Sequence, residues 1–191
     1  MSGFLVAISG PSAVGKTSVA TEILNRRADL FERVVTCTTR TPRGTEKHGV
    51  DYYFMSEQEF LTRKSDEEFL EDSHVYHNYY GVLKSTVDDI ISRDKDALLV
   101  INWEGYLKIK SKINQDVVGV FLLPPTIETL EERIRGRGHD SEEVIQKRLK
   151  MNEDDMLHAS ELDYEIVKYD IIDTANEITQ LFDNIKKNET I

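Results

Sequence analysis

The chain has 191 residues, 39% of them hydrophobic and 31% charged, which suits a single soluble domain carrying insertions and excludes a disordered polymer. With 24 Lys and Arg against 35 Asp and Glu, the net charge is −11, which argues against a nucleic-acid binder. Any anion site in such a chain must gather its cations locally. The longest apolar stretch, Val117–Leu123, is interrupted by Gly119 and falls far short of the ~20 residues of a membrane helix. The start has no basic region and only a short apolar run, Phe4–Ile8, which argues against a signal peptide. Cys37 is the single cysteine, so no internal disulfide forms and a reducing, cytoplasmic setting is expected.

In chain order, Phe4–Ile8 reads as a buried strand, followed by a helix with the apolar stripe Val19, Ala20, Ile23 and Leu24. Val34–Val35 reads as a second strand. From about Thr36 to Leu83 the pattern turns aromatic and polar, with DYYF at 51–54 and YHNYYG at 76–81. This predicts a small, partly antiparallel insertion with its own β-hairpins and a short helix capped by Ser56 and Glu59. Strands are expected again at Leu98–Ile101, Val117–Leu123 and Ile166–Val167. Between and after them, Ile127, Leu130 and Ile134 make one helical stripe, and Ile178, Leu181, Phe182 and Ile185 another. Asp140 with Glu143, and Thr174 with Glu177, read as capping boxes at helix starts. RGRGHD at 135–140 reads as a mobile loop, and the tail from Ile185 as a fraying end. The alternation predicts an α/β fold, a mainly parallel sheet with helices on both faces.

Gly10, Pro11, Ser12, Ala13, Val14, Gly15, Lys16 and Thr17 match GxxxxGK[ST], between a predicted strand and a predicted helix as that motif requires. Their backbone N–H groups, with Ser18 at the helix start, are expected to cradle the phosphates of a nucleoside triphosphate. Lys16 is expected to reach the β- and γ-phosphates, and the Thr17 hydroxyl to ligate Mg²⁺. Further on, Arg40 and Arg43 are spaced to present two guanidinium forks to one phosphate, with Tyr52 and Tyr80 as phenolic donors. The remaining candidates carry no pattern. Cys37 and Trp103 read as packing residues, the five histidines form no ligand set, and Met151–Met156 reads as helix surface and core.

The segments TCTTRTPR at 36–43, EKHGVDYYF at 46–54, FLE at 69–71 and NYYG at 78–81, with RIRGRG at 133–138 and Lys147-Arg148, together resemble the guanylate kinase family from about Phe4 to Lys186. The resemblance implies a P-loop kinase core over residues 1–34 and 85–191, a lid at about 135–147 and a GMP-binding insertion over 35–84. It implies phosphoryl transfer from ATP to GMP or dGMP with Mg²⁺, by a monomer or homodimer that needs neither nucleic acid nor membrane. It places Arg40, Arg43, Tyr52 and Tyr80 on the GMP phosphate, Glu71 on the guanine edge, and Thr36, Gly81 and Asn102 near the base. Arg133, Arg137 and Arg148 then act with Lys16 and Arg40 on the transferring group. Guanine offers N1–H and N2–H₂ as adjacent donors that a carboxylate accepts together, whereas adenine offers an acceptor at N1. No catalytic base is needed, because the second pKa of a phosphate monoester is near ~6.

Four positions depart from that family's pattern. Val100 stands where the family has a carboxylate, Asn102 where it has Asp, Val82 where it has Ser or Thr, and Lys168 where it has an adenine-side Asn. Two other classes therefore stay open. One is a guanylate-kinase-like interaction module without catalysis, against which the intact Lys16, Thr17 and Arg137 count. The other is a P-loop kinase of another phosphate acceptor. Arg133 and its neighbours also have the alternative of pairing with Glu131, Glu132, Glu142 and Glu143, and Arg135 is expected to do only that.

Overall fold

The computed structural model describes residues 3–75, 77–113, 116–136 and 141–188. A five-stranded parallel sheet forms the core. It consists of β1 (Leu5–Ser9), β2 (Phe31–Arg33), β7 (Asp96–Val100), β8 (Val117–Leu123) and β9 (Tyr164–Val167), in the order β2-β7-β1-β8-β9. Successive side chains of a strand point to opposite faces, and both faces here are covered. Phe4, Val6 and Ile8, with Leu98, Val120 and Leu122, pack beneath α1 (Lys16–Arg26) and α7 (Ile171–Asn188). Leu5, Ala97 and Leu99 face the other way, onto α3 (Lys84–Ser92) and α4 (Trp103–Lys112). The near-continuous apolar strands follow from this double burial.

Gly119 interrupts β8 for a packing reason. A Cβ there would lie 2.6 Å from the ring of Tyr106, a fully buried side chain of α4. The tyrosine hydroxyl donates to Asp163 Oδ2 at 2.6 Å, and the Gly119 N–H donates to the same oxygen at 2.8 Å.

The second strand begins earlier than the apolar pair suggests. β2 covers Phe31–Arg33. Val34 still donates to the Leu98 carbonyl at 2.9 Å, and then the chain leaves the sheet. It enters a second, four-stranded sheet in the order β4-β3-β6-β5, built from β3 (Cys37–Thr38), β4 (Tyr53–Phe54), β5 (Phe69–Val75) and β6 (Asn78–Leu83). Only β5–β6 is a hairpin; β3 runs antiparallel to β6 but parallel to β4. The helix α2 (Glu57–Ser65) crosses this sheet, capped by the Ser56 hydroxyl, which accepts from the Glu59 N–H. Its Phe60 stacks on Phe69 and Tyr79, with centroids 4.4 and 5.2 Å away. Cys37 is buried here, its thiol pushed up to about 12 by burial.

Both remaining capping boxes are replaced by neighbouring residues. α6 (Glu142–Leu157) is capped by Ser141, whose hydroxyl accepts from the Val144 N–H; Asp140 lies outside the described residues. α7 starts three residues before Thr174, and Asp170 accepts from the N–H groups of Ile172 and Asp173. The apolar stripe of α5 (Ile127–Arg135) buries Leu130 and Ile134 but leaves Ile127 exposed.

Of the tail expected to fray, the part from Ile185 to Asn188 is helical, and residues 189–191 lie outside the described residues. The Lys186 ammonium pairs with buried Asp96 at 2.7 Å. The other Asp96 oxygen accepts from the Phe4 N–H at 2.9 Å, so one carboxylate joins β7, β1 and α7. Lys186→Met should cost roughly 3 kcal/mol, because a buried carboxylate loses its cation. A urea titration checks this, and an unchanged midpoint would mean that Asp96 needs no counter-charge.

Candidate active site

At the C-terminal edge of the parallel sheet the chain turns from β1 into α1 through residues 10–15. The turn needs left-handed backbone at Gly10 (φ +137°), Ala13 (φ +67°) and Gly15 (φ +108°). At Gly10 the spacing is also fixed by contact, since a Cβ would stand 2.4 Å from the Leu122 carbonyl oxygen on β8. The first turn of α1 carries no acidic residue, so its N–H groups and its dipole face outward without a built-in anion. Lys16 Nζ donates to the carbonyls of Gly10 (2.7 Å) and Pro11 (2.9 Å), while Thr17 and Ser18 are exposed on the helix start.

Two further elements hold this loop. From α5, Arg133 Nη1 donates to the Val14 carbonyl at 3.0 Å. From α6, Asn152 is buried and clamps Ser12 from both sides of its amide. The Ser12 N–H donates to Asn152 Oδ1 at 2.7 Å, and Asn152 Nδ2 donates to the Ser12 carbonyl at 3.1 Å. Arg148 precedes Asn152 by one helical turn and so shares its face of α6. Asp155 follows on that face, half-buried. Burial raises its pKa, while the Trp103 indole N–H at 3.3 Å and the charge of Lys16 oppose the shift. Trp103 itself stacks on His158 with centroids 3.6 Å apart. Asn152 and Asp155 are missed by motif reading. The one available signal is an asparagine, a poor mid-helix residue, on the face that Ile145 buries. Arg137 lies outside the described residues. Arg135 pairs with Glu131 and Glu142.

Two adjoining hollows run from α1 to the second sheet. The first is lined by Thr17, Thr36, Tyr52 and Val100, the second by Thr36, Tyr52, Glu71, Tyr80, Gly81 and Val82, with Val100 common to both. Of the residues expected around an acceptor, Thr36, Tyr52, Glu71, Tyr80 and Gly81 are therefore brought together, whereas Arg40, Arg43 and Asn102 line neither hollow. Asn102 Oδ1 accepts from the Gly105 N–H at 3.1 Å, capping α4, and its Nδ2 donates to Glu104 at 3.3 Å. Gly81 is required by packing, since a Cβ would lie 2.7 Å from the Phe69 ring. Glu71 is 5% exposed and has Lys108 Nζ 3.5 Å away; burial raises its pKa, and Lys108 only partly offsets this.

Arg40 is buried, and its fork is already engaged. It makes two bonds to the Glu46 carboxylate, at 2.9 and 3.0 Å, and a third to the Thr41 carbonyl. The guanidinium lies over the rings of Tyr52 (5.3 Å) and Phe54 (5.9 Å). Hydrogen bonds from Arg40 and from the Arg43 N–H hold the Glu46 carboxyl down at about 2. The Arg43 side chain is exposed, beside this pair.

Asn152→Ala should remove both clamps on Ser12 and cost about 1–3 kcal/mol, the range for leaving buried backbone groups unpaired. Amide hydrogen exchange at Ser12 should accelerate with it. Unchanged protection would mean that the loop holds its shape without α6.

The guanylate kinase family profile matches residues 3–185. A guanylate kinase of Anaplasma phagocytophilum is 37% identical over 179 residues, covering 94% of this chain and 85% of its own. One of Hydrogenovibrio crunogenus is 38% identical over 182 residues, covering 95% and 88%. The crystal structure of guanylate kinase from Anaplasma phagocytophilum superposes with a TM-score of 0.75 at 32% identity, over 96% of this chain and 86% of that one. A family match across residues 3–185, with relatives above 30% identical over nearly the whole length, means that this chain belongs to the guanylate kinase family.

Proposed function

We propose that the protein transfers the γ-phosphoryl group of ATP to GMP or dGMP, giving ADP and GDP or dGDP, and that it does so in the cytoplasm. One observation carries this reading. The hollow beside the phosphate-loop helix, lined by Thr17, and the hollow lined by Glu71 adjoin each other, with Thr36, Tyr52, Leu99 and Val100 on their shared wall. Two anions bound in them would meet over that wall. Residues 10–18 receive the triphosphate on backbone N–H groups, and Lys16 exchanges its two carbonyl acceptors for phosphate oxygens. Arg40, Arg43, Tyr52 and Tyr80 hold the acceptor phosphate, and Glu71 accepts from the guanine edge, with Thr36 and Gly81 beside it. Arg133 reaches the loop from α5, Arg148 shares the α6 face of Asn152, and both spread the charge of the transferring group, a role that also falls to Arg137. Alignment and charge stabilisation suffice, because the nucleophile is a phosphate oxygen already largely deprotonated at neutral pH.

The residues present suit Mg²⁺ as an ion carried in by the nucleotide. Among the described residues no group of three His, Cys, Asp or Glu side chains is placed to cage a metal, whereas the exposed Thr17 hydroxyl offers one hard oxygen. When bound, the ion neutralises charge on the β- and γ-phosphates. Thr17 contributes the single direct ligand, and Val100, 36% exposed at the end of β7, contributes none. Asn102 keeps Glu104 near the strand end by its 3.3 Å bond. No helix among the described residues is long and apolar enough to cross a membrane. The reading extends to a monomer or homodimer that acts without nucleic acid.

A coupled assay with ATP, Mg²⁺ and a panel of GMP, dGMP, AMP, UMP and IMP tests the proposal directly. Turnover confined to the guanine nucleotides supports it, and turnover of none favours an interaction module. Lys16→Ala should abolish turnover with the fold intact; wild-type rates in that variant would overturn the donor-site assignment.

Glu71→Gln should lose discrimination between GMP and AMP, since its NH₂ then opposes a donor on the base. The folded pKa of Glu71 lies above the unfolded one, so its ionised form costs stability above both values. The variant is therefore not expected to melt lower at neutral pH. GMP affinity of the wild type should fall on acidification before an ordinary glutamate titrates, and Glu71→Gln should retain only the part of that pH dependence that comes from the GMP phosphate, whose second pKa is near ~6. Binding curves between pH 5 and 8 decide this, together with a melting curve at pH 7.

Val100→Asp should lower the Mg²⁺ concentration for half-maximal rate by about tenfold, because a carboxylate orienting metal-bound waters typically has an effect of ~10–100-fold. A Mg²⁺ titration at saturating nucleotides measures it. An unchanged midpoint would mark position 100 as wall packing.

A further inference from the structure

One buried cation beside the phosphate loop has no part in the roles above. Lys168 follows β9, where its N–H donates to the Leu123 carbonyl at 2.8 Å, and it is only 6% exposed. Its side chain lies along Gly15. A Cβ built on that glycine would stand 3.0 Å from Lys168 Cε, 3.3 Å from Cδ and 3.5 Å from Nζ. Gly15 immediately precedes α1, whose first turn has no acid of its own. Among the described residues, no hydrogen bond or ion pair holds the Lys168 ammonium. The charge of Asp170 favours the ammonium, and that of Arg133, a larger effect, opposes it. Burial, reinforced by Arg133, keeps its pKa below the usual lysine range.

A lysine buried to this degree normally has a counter-charge, since losing hydration without one is expensive. The groups beside it are cations and hydrogen-bond donors too. The helix N-terminus offers unpaired N–H groups, Lys16 is parked on two loop carbonyls, and Arg133 on a third. The three cations follow the loop from Gly10 through Val14 to Gly15. We propose that Lys168 is a second phosphate-binding lysine of the donor site, its ammonium donating to a non-bridging oxygen of the triphosphate chain over Gly15. The proposal rests on the donor reading given above and adds a residue to it. Phosphate is favoured over the nucleobase as partner. An ammonium is a compact charge with three donors and no acceptor. An anionic oxygen compensates its lost hydration, and a neutral ring nitrogen does not.

Inorganic tripolyphosphate isolates the phosphate contribution, because it has no base or sugar. Its dissociation constant and that of ATP are measured by calorimetry for the wild type, Lys168→Met and Lys168→Arg. The methionine keeps the stem that packs on Gly15 and removes the charge. Both ligands should bind Lys168→Met about ten- to hundredfold more weakly, the usual effect of losing a hydrogen bond to a charged group. Lys168→Arg should retain most of the affinity, and KM for ATP should rise in Lys168→Met with KM for GMP unchanged. Should Lys168→Met fail to fold, the wild type itself carries the test. In lysine-labelled protein the Lys168 Nζ resonance, assigned through Lys168→Arg, should shift with tripolyphosphate and stay fixed with adenosine. Wild-type affinity for tripolyphosphate in Lys168→Met, or a Nζ resonance indifferent to it, overturns the proposal while leaving the donor site standing. A wild-type protein that binds neither ATP nor tripolyphosphate overturns the donor site and the proposal together.

Discussion

The pass of Gly10 beneath the Leu122 carbonyl sets the geometry on which the rest depends. Only a residue without a Cβ, held at φ +137°, lets β1 end against β8 and turn at once into a helix. That turn aims the free N–H groups of α1 along the C-terminal edge of a parallel sheet, where ligands of open α/β folds gather. The other elements of the site are placed with respect to it. α5 reaches it through Arg133, α6 through Asn152, and the segment after β9 through Lys168. The second sheet leaves the core directly after β2 and so faces the same edge.

A chain with a net charge of −11 holds this anion site without a basic surface. Much of the positive potential comes from peptide groups, which add no net charge and stay oriented whatever the solution conditions. The side-chain cations are few and already in contact with the site's own atoms. Lys16 rests on loop carbonyls, Arg133 on Val14, and Arg40 on Glu46. Each is therefore positioned before any ligand arrives. That preorganisation lowers the ordering entropy that binding must overcome.

Periodicity and one motif make the core sheet, its double burial and the phosphate loop legible in the sequence, because each is set by local spacing. The insertion is legible too, through TTRTPR and NYYG. What escapes is decided by pairing and capping contacts that no pattern specifies, some local and some far apart in sequence. β2 sits at Phe31–Arg33 because pairing with Asp96–Leu98, rather than the apolar pair that follows, fixes where the strand runs. Asp170 displaces Thr174 as the cap of α7 because the helix starts one turn earlier. Asn102 resembles a base-side residue in its motif, yet its carbonyl is used by the Gly105 N–H. The Asn152 clamp joins residues 140 positions apart, and no pattern around either end announces it.

The pairing of Arg40 with Glu46 bears on how selective the acceptor end is. A ligand anion that takes this guanidinium exchanges one carboxylate for another acceptor, so only the difference between the two partners appears as affinity. A bare phosphate ion, with nothing else to hold, gains little from that exchange. On the proposed reading, a nucleotide also engages the tyrosines and the base pocket, and it tips the balance through contacts remote from the arginine. The internal carboxylate thus works as a threshold, set inside the fold, that small anions abundant in the surrounding solution fail to cross.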